Sequence, residues 1–291
     1  MWLTTLMFGA LGVCWGSNFI YMKLAADFIS PAQMTLLRVG CGFVPLALVA
    51  WQRGVLRLDQ WRLLPHFLVM ALLATAFYYF AIAKGTALLP SAVAGVLGGT
   101  IALFTTLASL ALLRAERPNA AMVAGVLLGF LGVVLLIAPW QAAGLALDGH
   151  GVLWMLGAAA LFGGSYVYVS RYLAPHGLPP LALVTWQMGL ALLALLLVTD
   201  TSGLAALWQH PRALAGVTIG LGVLGTGMAF LLYYALLERL GAVASAAATY
   251  LTPAVALAIG WANGEAVGLR EVAAAGVILL GVAVVQAGRR T

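Results

Sequence analysis

Trp15-Gly16-Ser17-Asn18-Phe19-Ile20-Tyr21 and Phe162-Gly163-Gly164-Ser165-Tyr166-Val167-Tyr168 are two tight hydrophobic phrases that echo each other. Each opens a run of apolar helices, and about five helices separate the first echo from the second. An odd number of membrane crossings per repeat turns the second copy upside down. Inverted repeats of this kind build many secondary transporters, with the substrate held between the halves. The pattern points away from an enzyme and toward a carrier.

Composition fixes the solvent. The chain of 291 residues is 64% hydrophobic and 8% charged, with a mean hydropathy of +1.07. A soluble domain carries roughly 25% charged residues and about 45–50% apolar ones. So much apolar surface has no place in a water-facing globule, and the chain reads as an integral membrane protein. Cys14 and Cys41 sit in apolar stretches and read as small buried hydrophobes rather than a disulfide framework. Two cysteines and four scattered histidines offer no metal site, and no cofactor is expected. The formal net charge of +6 is no nucleic-acid signal, because arginine excess in a membrane protein marks cytoplasmic loops. No Lys or Arg precedes the first apolar run, so the first segment reads as a retained helix rather than a signal peptide.

A membrane helix needs about 20 apolar residues, which places ten helices at about 3–25, 31–51, 62–84, 88–113, 119–139, 149–171, 180–199, 211–237, 241–262 and 270–288. Ser30-Pro31, Pro118-Asn119, Pro179-Pro180 and His210-Pro211 put proline at or near a helix start, where its missing N–H does no harm. Very short turns are expected near Lys84-Gly85 and Arg239-Leu240-Gly241. With the termini inside, the inner loops hold Arg53, Arg57, Arg62, Arg114, Arg117, Arg171, Arg239, Arg289 and Arg290, against Lys23, Lys84, Arg212 and Arg270 outside. That bias predicts cytoplasmic termini.

The second half, 141–291 with helices 6–10, lies over the first, 1–140 with helices 1–5. Tyr79-Phe80-Ala81 matches Tyr233-Tyr234-Ala235, Pro90-Ser91-Ala92-Val93 matches Ala244-Ser245-Ala246-Ala247, and Glu116 matches Glu265. Small residues spaced by four recur as Gly12 with Gly16, Gly95 with Gly99, Gly125 with Gly129, Gly216 with Gly220 and Gly260 with Gly264. Lipid gives helices no hydrophobic reason to associate, so close backbone approach through small residues supplies the packing.

Enzyme motifs are missing: the chain has neither a Gly-x-Ser-x-Gly elbow nor a His-Glu-x-x-His helix. The histidines and carboxylates all fall near helix ends. A proton-coupled exchanger carries a titratable acid or histidine within the membrane, so the reading is a facilitator driven by the substrate's own gradient. A relay through a loop-edge group such as Asp27 stays open. Arg38 is the one charge well inside a predicted helix, either a partner for a substrate carboxylate or a side chain that snorkels to the interface. Trp15, Phe77-Tyr78-Tyr79-Phe80, Phe104, Tyr166, Tyr168, Trp186, Tyr233-Tyr234, Tyr250 and Trp261 form an inner aromatic set that lines a cavity or packs helices. Trp2, Trp51, Trp61, Trp140 and Trp208 fit an interface belt. Ser17, Asn18, Ser165, Thr249 and Thr252 bond either a substrate or a neighbouring helix. Pro253 frees a carbonyl near Thr249 and is expected to kink helix nine.

Trp15-Gly16-Ser17-Asn18 followed by Lys23, then Ser30-Pro31 and Arg38, resembles the opening of the EamA-type carriers of the drug/metabolite transporter superfamily. The resemblance runs on through Glu116-Arg117-Pro118 and through Thr252-Pro253 with Gly264-Glu265, over essentially the whole chain. It implies ten helices, cytoplasmic termini and a central cavity between the repeats. The aromatic interior is similar to that of YddG-type aromatic amino acid exporters. One departure is Gly98-Gly99, standing where the family often has proline in helix four, which puts a matching kink there in doubt.

The sequence therefore reads as an all-α membrane protein of ten helices in two inverted repeats, in a bacterial inner membrane, as a monomer or a dimer. It is expected to export small metabolites, above all amino acids with aromatic or large apolar side chains, by alternating access. A drug or sugar-derivative carrier and a structural or sensory membrane protein are the alternatives. The expected substrate-binding residues are Trp15, Asn18, Arg38, Tyr78, Tyr79, Ser165, Trp186 and Tyr250.

Overall fold

Proline and polar caps decide where the helices begin. Ser30 Oγ accepts from the Gln33 amide at 3.2 Å, and Gln33 Oε1 accepts from the Ser30 amide at 3.0 Å, a reciprocal cap just before Pro31. Asn119 and Asp148 cap their own helices through the amides of Met122 and Gly151. The structure, a computed structural model, describes residues 2–112, 119–138 and 147–288, with the backbone alone over 241–247. Arg114, Glu116, Arg117, Pro118, Trp140, Arg289 and Arg290 lie outside the described residues, as do the side chains of Ser245 and its neighbours.

Among the described residues nine helices are long and apolar enough to cross a membrane: α1 (Trp2–Ala25), α2 (Pro31–Gln52), α3 (Leu58–Leu88), α4 (Ser91–Leu112), α5 (Ala120–Ile137), α6 (Gly149–His176), α7 (Pro180–Val198), α8 (Pro211–Leu240) and α10 (Leu269–Gly288). The tenth apolar helix, α9 (Ala248–Ala262), is shorter than the rest. Among the described residues there is no strand. The chain is a multi-pass membrane protein.

Two expected turns fall elsewhere. Lys84-Gly85 lies inside α3, and the break comes at Leu89-Pro90, where proline drives the preceding residue into extended backbone (φ −120°, ψ 159°). Gly85 stays helical because it packs face to face with Met155 and Gly151 of α6. The backbone also remains helical through Arg239-Leu240-Gly241 to Ala246, and the interruption is a 3-10 turn at Ala247–Tyr250. That turn stands one helical turn before Pro253, which cannot donate the bond an α-helix needs there. In α4 the doubt about a kink is resolved: the helix stops at Gly98 and restarts at Ile101. A side chain on Gly99 would begin 3.1 Å from Pro253 Cγ, so the proline of α9 rests in the break of α4.

The packing maps onto itself when each helix is renumbered by five. α1 packs on α8 and α9, and α6 packs on α3 and α4; α2 packs on α8, and α7 on α3. The pairs α4–α9 and α5–α10 complete the pattern. Small residues make these approaches possible. A side chain on Gly12 or Gly16 would meet Leu251 or Val255 within 2.7 Å, and one on Gly125 would strike the backbone of α10. Gly264 departs from the expected pairing: it has φ +83° and nothing near it, so it turns the chain rather than packing a helix.

Two side chains tie helix ends across the bundle. Lys23 Nζ donates to the Ala87 carbonyl at 3.1 Å. Glu265 accepts from the amides of Ser91 and Ala92, each at 2.8 Å, and so caps α4 from a loop of the other repeat. A carboxylate at a helix N-terminus satisfies donors that the helix itself leaves unpaired.

Candidate functional site

Among the described residues three stretches are π-helical: Leu72–Ala76 in α3, Val169–Leu173 in α6 and the longer Gly216–Met228 in α8. The wide π turn is rare overall and frequent at functional sites. Tyr78-Tyr79 and Tyr233-Tyr234 follow the stretches of α3 and α8, and Tyr79 and Tyr234 lie within electrostatic reach of each other. Tyr78 stacks on Phe162 of α6 with centroids 4.4 Å apart and lies 5.1 Å from Tyr79. Tyr233 lies 5.8 Å from Trp15 of α1 and 5.6 Å from Tyr234. Tyr166 of α6 sits edge-on to Phe162 at 5.3 Å, within electrostatic reach of Tyr78, Tyr79 and Tyr233. Nearly half of Tyr166, 46%, is open.

Arg38 supplies the charge. It is 5% exposed, so the snorkelling alternative is set aside. Its Nε donates to Thr226 Oγ1 at 2.9 Å, and its guanidinium lies 3.9 Å from the centroid of the Tyr79 ring. The Tyr79 hydroxyl also bonds the Arg38 side chain, and among the described residues no carboxylate lies within ion-pair distance of it. The carboxylates are engaged elsewhere or stand at the ends: Glu271 pairs with Arg270, Glu238 with Arg53, and Glu265 caps α4. A buried cation carries a desolvation penalty that neutral hydroxyls and a ring offset in part. A guanidinium has the planar geometry that a carboxylate fills with two bonds.

Asn18 stands beside it. The side chain is 5% exposed, its Nδ2 donates to the Gly225 carbonyl at 3.3 Å, and its Oδ1 has no hydrogen-bond donor. Asn18 and Arg38 thus reach the adjacent residues Gly225 and Thr226 of one π turn from two different helices. An acceptor without a donor and a cation without a counter-charge among the described residues, set beside tyrosine rings, suit a small molecule bearing an ammonium, a carboxylate and an apolar body.

Trp15, Asn18, Arg38, Tyr78 and Tyr79 are brought together. Ser165 is buried next to them, but its hydroxyl donates back to the Phe162 carbonyl at 2.6 Å. Trp186 stands apart: it stacks on Phe67 at 5.8 Å and its indole donates to Gln60 Oε1 at 2.8 Å. Tyr250 ends the 3-10 turn at the start of α9, which packs against α1. Trp261 and Phe77, read as inner residues, are 70% and 55% exposed and face outward. Trp2, Trp51, Trp61 and Trp208 are exposed as a belt requires. Thr226, Gly225, Phe162, Tyr166 and Tyr233 complete the group. Thr226 was hidden because an isolated threonine in an apolar helix carries no distinctive pattern. A cleft of about 570 Å³ is lined by Gly157, Gly164, Tyr168, Arg171 and Tyr172 of α6 together with Leu73 of α3.

The model of the EamA-like transporter family matches the chain twice, over residues 2–138 and 149–286. The chain belongs to the EamA-like transporter family. The two matches fall on the two sets of five helices, and the family's relatives are named as transporters rather than enzymes. An uncharacterized transporter of Archaeoglobus fulgidus is 28% identical over 277 residues, covering 93% of this chain and 94% of its own length. A probable terminal-alkyne amino-acid exporter of Streptantibioticus cattleyicolor is 27% identical over 249 residues, covering 85% of this chain and 80% of its own. A crystal structure that is 25% identical superposes with a TM-score of 0.64, covering 99% of this chain and 97% of that one. In this EamA-like transporter the aromatic cluster lies at the boundary of the two repeats, with Trp15 of α1 against Tyr233 of α8 and Tyr78 of α3 stacked on Phe162 of α6.

Proposed function

We propose that this transporter exports amino acids with aromatic or large apolar side chains, by alternating access of the repeats 1–140 and 141–291 around a tyrosine-lined lumen. The observation that carries the reading is Arg38, a buried guanidinium with no counter-charge among the described residues. A substrate carboxylate supplies that counter-charge. Trp15, Tyr78 and Tyr79 bound the apolar side chain, and Asn18 Oδ1 accepts from the ammonium when α8 shifts. Ser165 and Tyr250 line the lumen at its margins, and Trp186 closes its arginine-rich end. The relative named as an amino-acid exporter supports the substrate class. The arginine bias of the loops supports cytoplasmic termini in a bacterial inner membrane. Among the described residues no carboxylate stands near Arg38, which supports a facilitator rather than a proton exchanger, working as a monomer.

The test is counterflow of labelled phenylalanine and methionine into proteoliposomes preloaded with unlabelled amino acid. Saturable uptake without a proton gradient is expected. Absence of saturable transport of any amino acid, with or without the gradient, overturns the reading. Competition by cationic drugs and not by amino acids points to a drug carrier instead.

A further inference from the structure

Arg38 stands seven residues after Pro31, the first residue of α2, and Gln187 stands seven residues after Pro180, the first residue of α7. They occupy the same place in the two repeats and make the same kind of bond. Arg38 Nε donates to Thr226 in the π stretch of α8, and Gln187 Nε2 donates to Thr75 in the π stretch of α3, each at 2.9 Å. Both threonines are fully buried, and in both repeats the tyrosine pair of the lumen follows the π stretch. The two pins differ in one respect: one is a cation and the other is neutral.

The π stretch of α8 is held from outside. It spans thirteen residues and contains five glycines, and its neighbours press into them. A side chain on Gly222 would begin 2.5 Å from Cys41 Cβ, and one on Gly227 would begin 2.4 Å from Pro45 Cγ. Thr226 Oγ1 accepts from Arg38 and donates to the Leu221 carbonyl at 2.9 Å, five residues back. Arg38 thereby polarises a chain of bonds that spans one π turn. Shifting a helix by one residue of register rotates everything beyond it by about 100°. The register of this stretch therefore sets where Tyr233 and Tyr234 stand.

We propose that the π stretch of α8 is a register that substrate releases, with Thr226 as the positioning residue through which Arg38 pins it. A carboxylate makes charge-assisted bonds to a guanidinium roughly twice as strong as those of a neutral hydroxyl. It draws Arg38 off Thr226, the Thr226–Leu221 link loses its polariser, and the turn relaxes and re-aims Tyr233 and Tyr234. The α3 stretch, pinned by neutral Gln187, does not answer a carboxylate. The inference rests on Arg38 as the carboxylate partner of the proposed function.

The native thiol of Cys41 reports on the contact, since it packs against Gly222 and is half-buried. The full chain carrying Cys14→Ala is placed in lipid nanodiscs and alkylated with N-ethylmaleimide. Phenylalanine is expected to speed alkylation of Cys41, and phenylalanine amide, which lacks the carboxylate, is not. Loss of a bond to a charged group predicts that Thr226→Val alkylates roughly tenfold faster with or without phenylalanine. Thr226→Ser behaves as the parent, and Gln187→Leu leaves both the rate and the response unchanged. Arg38→Met removes the donor instead of the acceptor, is expected to give the same fast rate, and keeps the test available if Thr226→Val does not fold. A parent-like rate and response in Thr226→Val, or in Arg38→Met where only that variant folds, overturns the proposal. Fast labelling of either variant with no effect of phenylalanine on the parent overturns the substrate response and the carboxylate reading together, while the Arg38–Thr226 pin stands.

Discussion

Asn18 grips Gly225 with both ends of its amide. Nδ2 donates to the glycine carbonyl at 3.3 Å, and Oδ1 lies 1.8 Å from where a side chain on Gly225 would begin. The oxygen therefore rests on the glycine Cα, a contact no other residue permits. Gly225→Ala forces α1 and α8 apart, and overpacking of this kind costs roughly 1–3 kcal/mol. Thermal unfolding in detergent is expected to show that loss. The double variant Asn18→Ala with Gly225→Ala is expected to recover most of the stability, because the added methyl then occupies the space the amide leaves. A double variant no more stable than Gly225→Ala alone means the clash lies elsewhere.

Glu265 gives a prediction about assembly of the repeats. It caps α4 across the repeat boundary with two bonds of 2.8 Å to the Ser91 and Ala92 amides. Glu265→Ala leaves both donors unfilled at a helix N-terminus and is expected to cost about 1–2 kcal/mol. Glu265→Asp, one methylene shorter, reaches at most one amide and falls between. The midpoint of thermal unfolding orders the three proteins. Equal midpoints for the parent and the alanine variant rule out a capping role.

The membrane class and the helix starts were legible because proline, polar caps and apolar length act locally. Ser30-Pro31 and Pro179-Pro180 begin helices where they were expected to. The breaks at Leu89-Pro90 and Ala247–Tyr250 were misplaced because Gly85 and Gly241 look like turns in the sequence alone. Gly85 is instead a packing surface for α6. Arg38, Asn18 and the tyrosine pairs were legible as polar or aromatic intrusions in apolar helices. The π stretches were not, since nothing in glycine-rich sequence separates a π turn from an α turn until neighbours press on it. Trp261 was misread because depth along a helix does not reveal which face it occupies.

Trp186 tests the boundary of the site. Its indole bond to Gln60 and its stack on Phe67 place it in the cluster of Phe67, Met70 and Leu173. Trp186→Phe keeps an aromatic ring against Phe67 and loses the hydrogen bond, worth roughly 0.5–1.5 kcal/mol. The expected outcome in counterflow is an unchanged KM for phenylalanine with an altered maximal rate, as befits a residue that closes one end of the lumen. A rise in KM of about tenfold, equal to 1.4 kcal/mol of binding, assigns Trp186 to direct substrate contact instead.

Arg38 separates function from stability most sharply. Its charge is buried with neutral hydrogen bonds to Thr226 and Tyr79 and no carboxylate partner among the described residues. A buried charge without a counter-charge carries a desolvation cost that a neutral side chain of similar size does not. Arg38→Gln is therefore expected to unfold at or above the parent temperature while losing amino acid counterflow. Arg38→Lys keeps the charge but presents a point instead of a fork. It is expected to retain folding and lose roughly tenfold or more in apparent affinity, the cost of giving up a two-bond carboxylate contact. Thermal unfolding and counterflow measured on the same preparations decide the matter. Parallel loss of stability and transport in both variants makes Arg38 a packing residue, and normal transport by Arg38→Gln removes it from the substrate site.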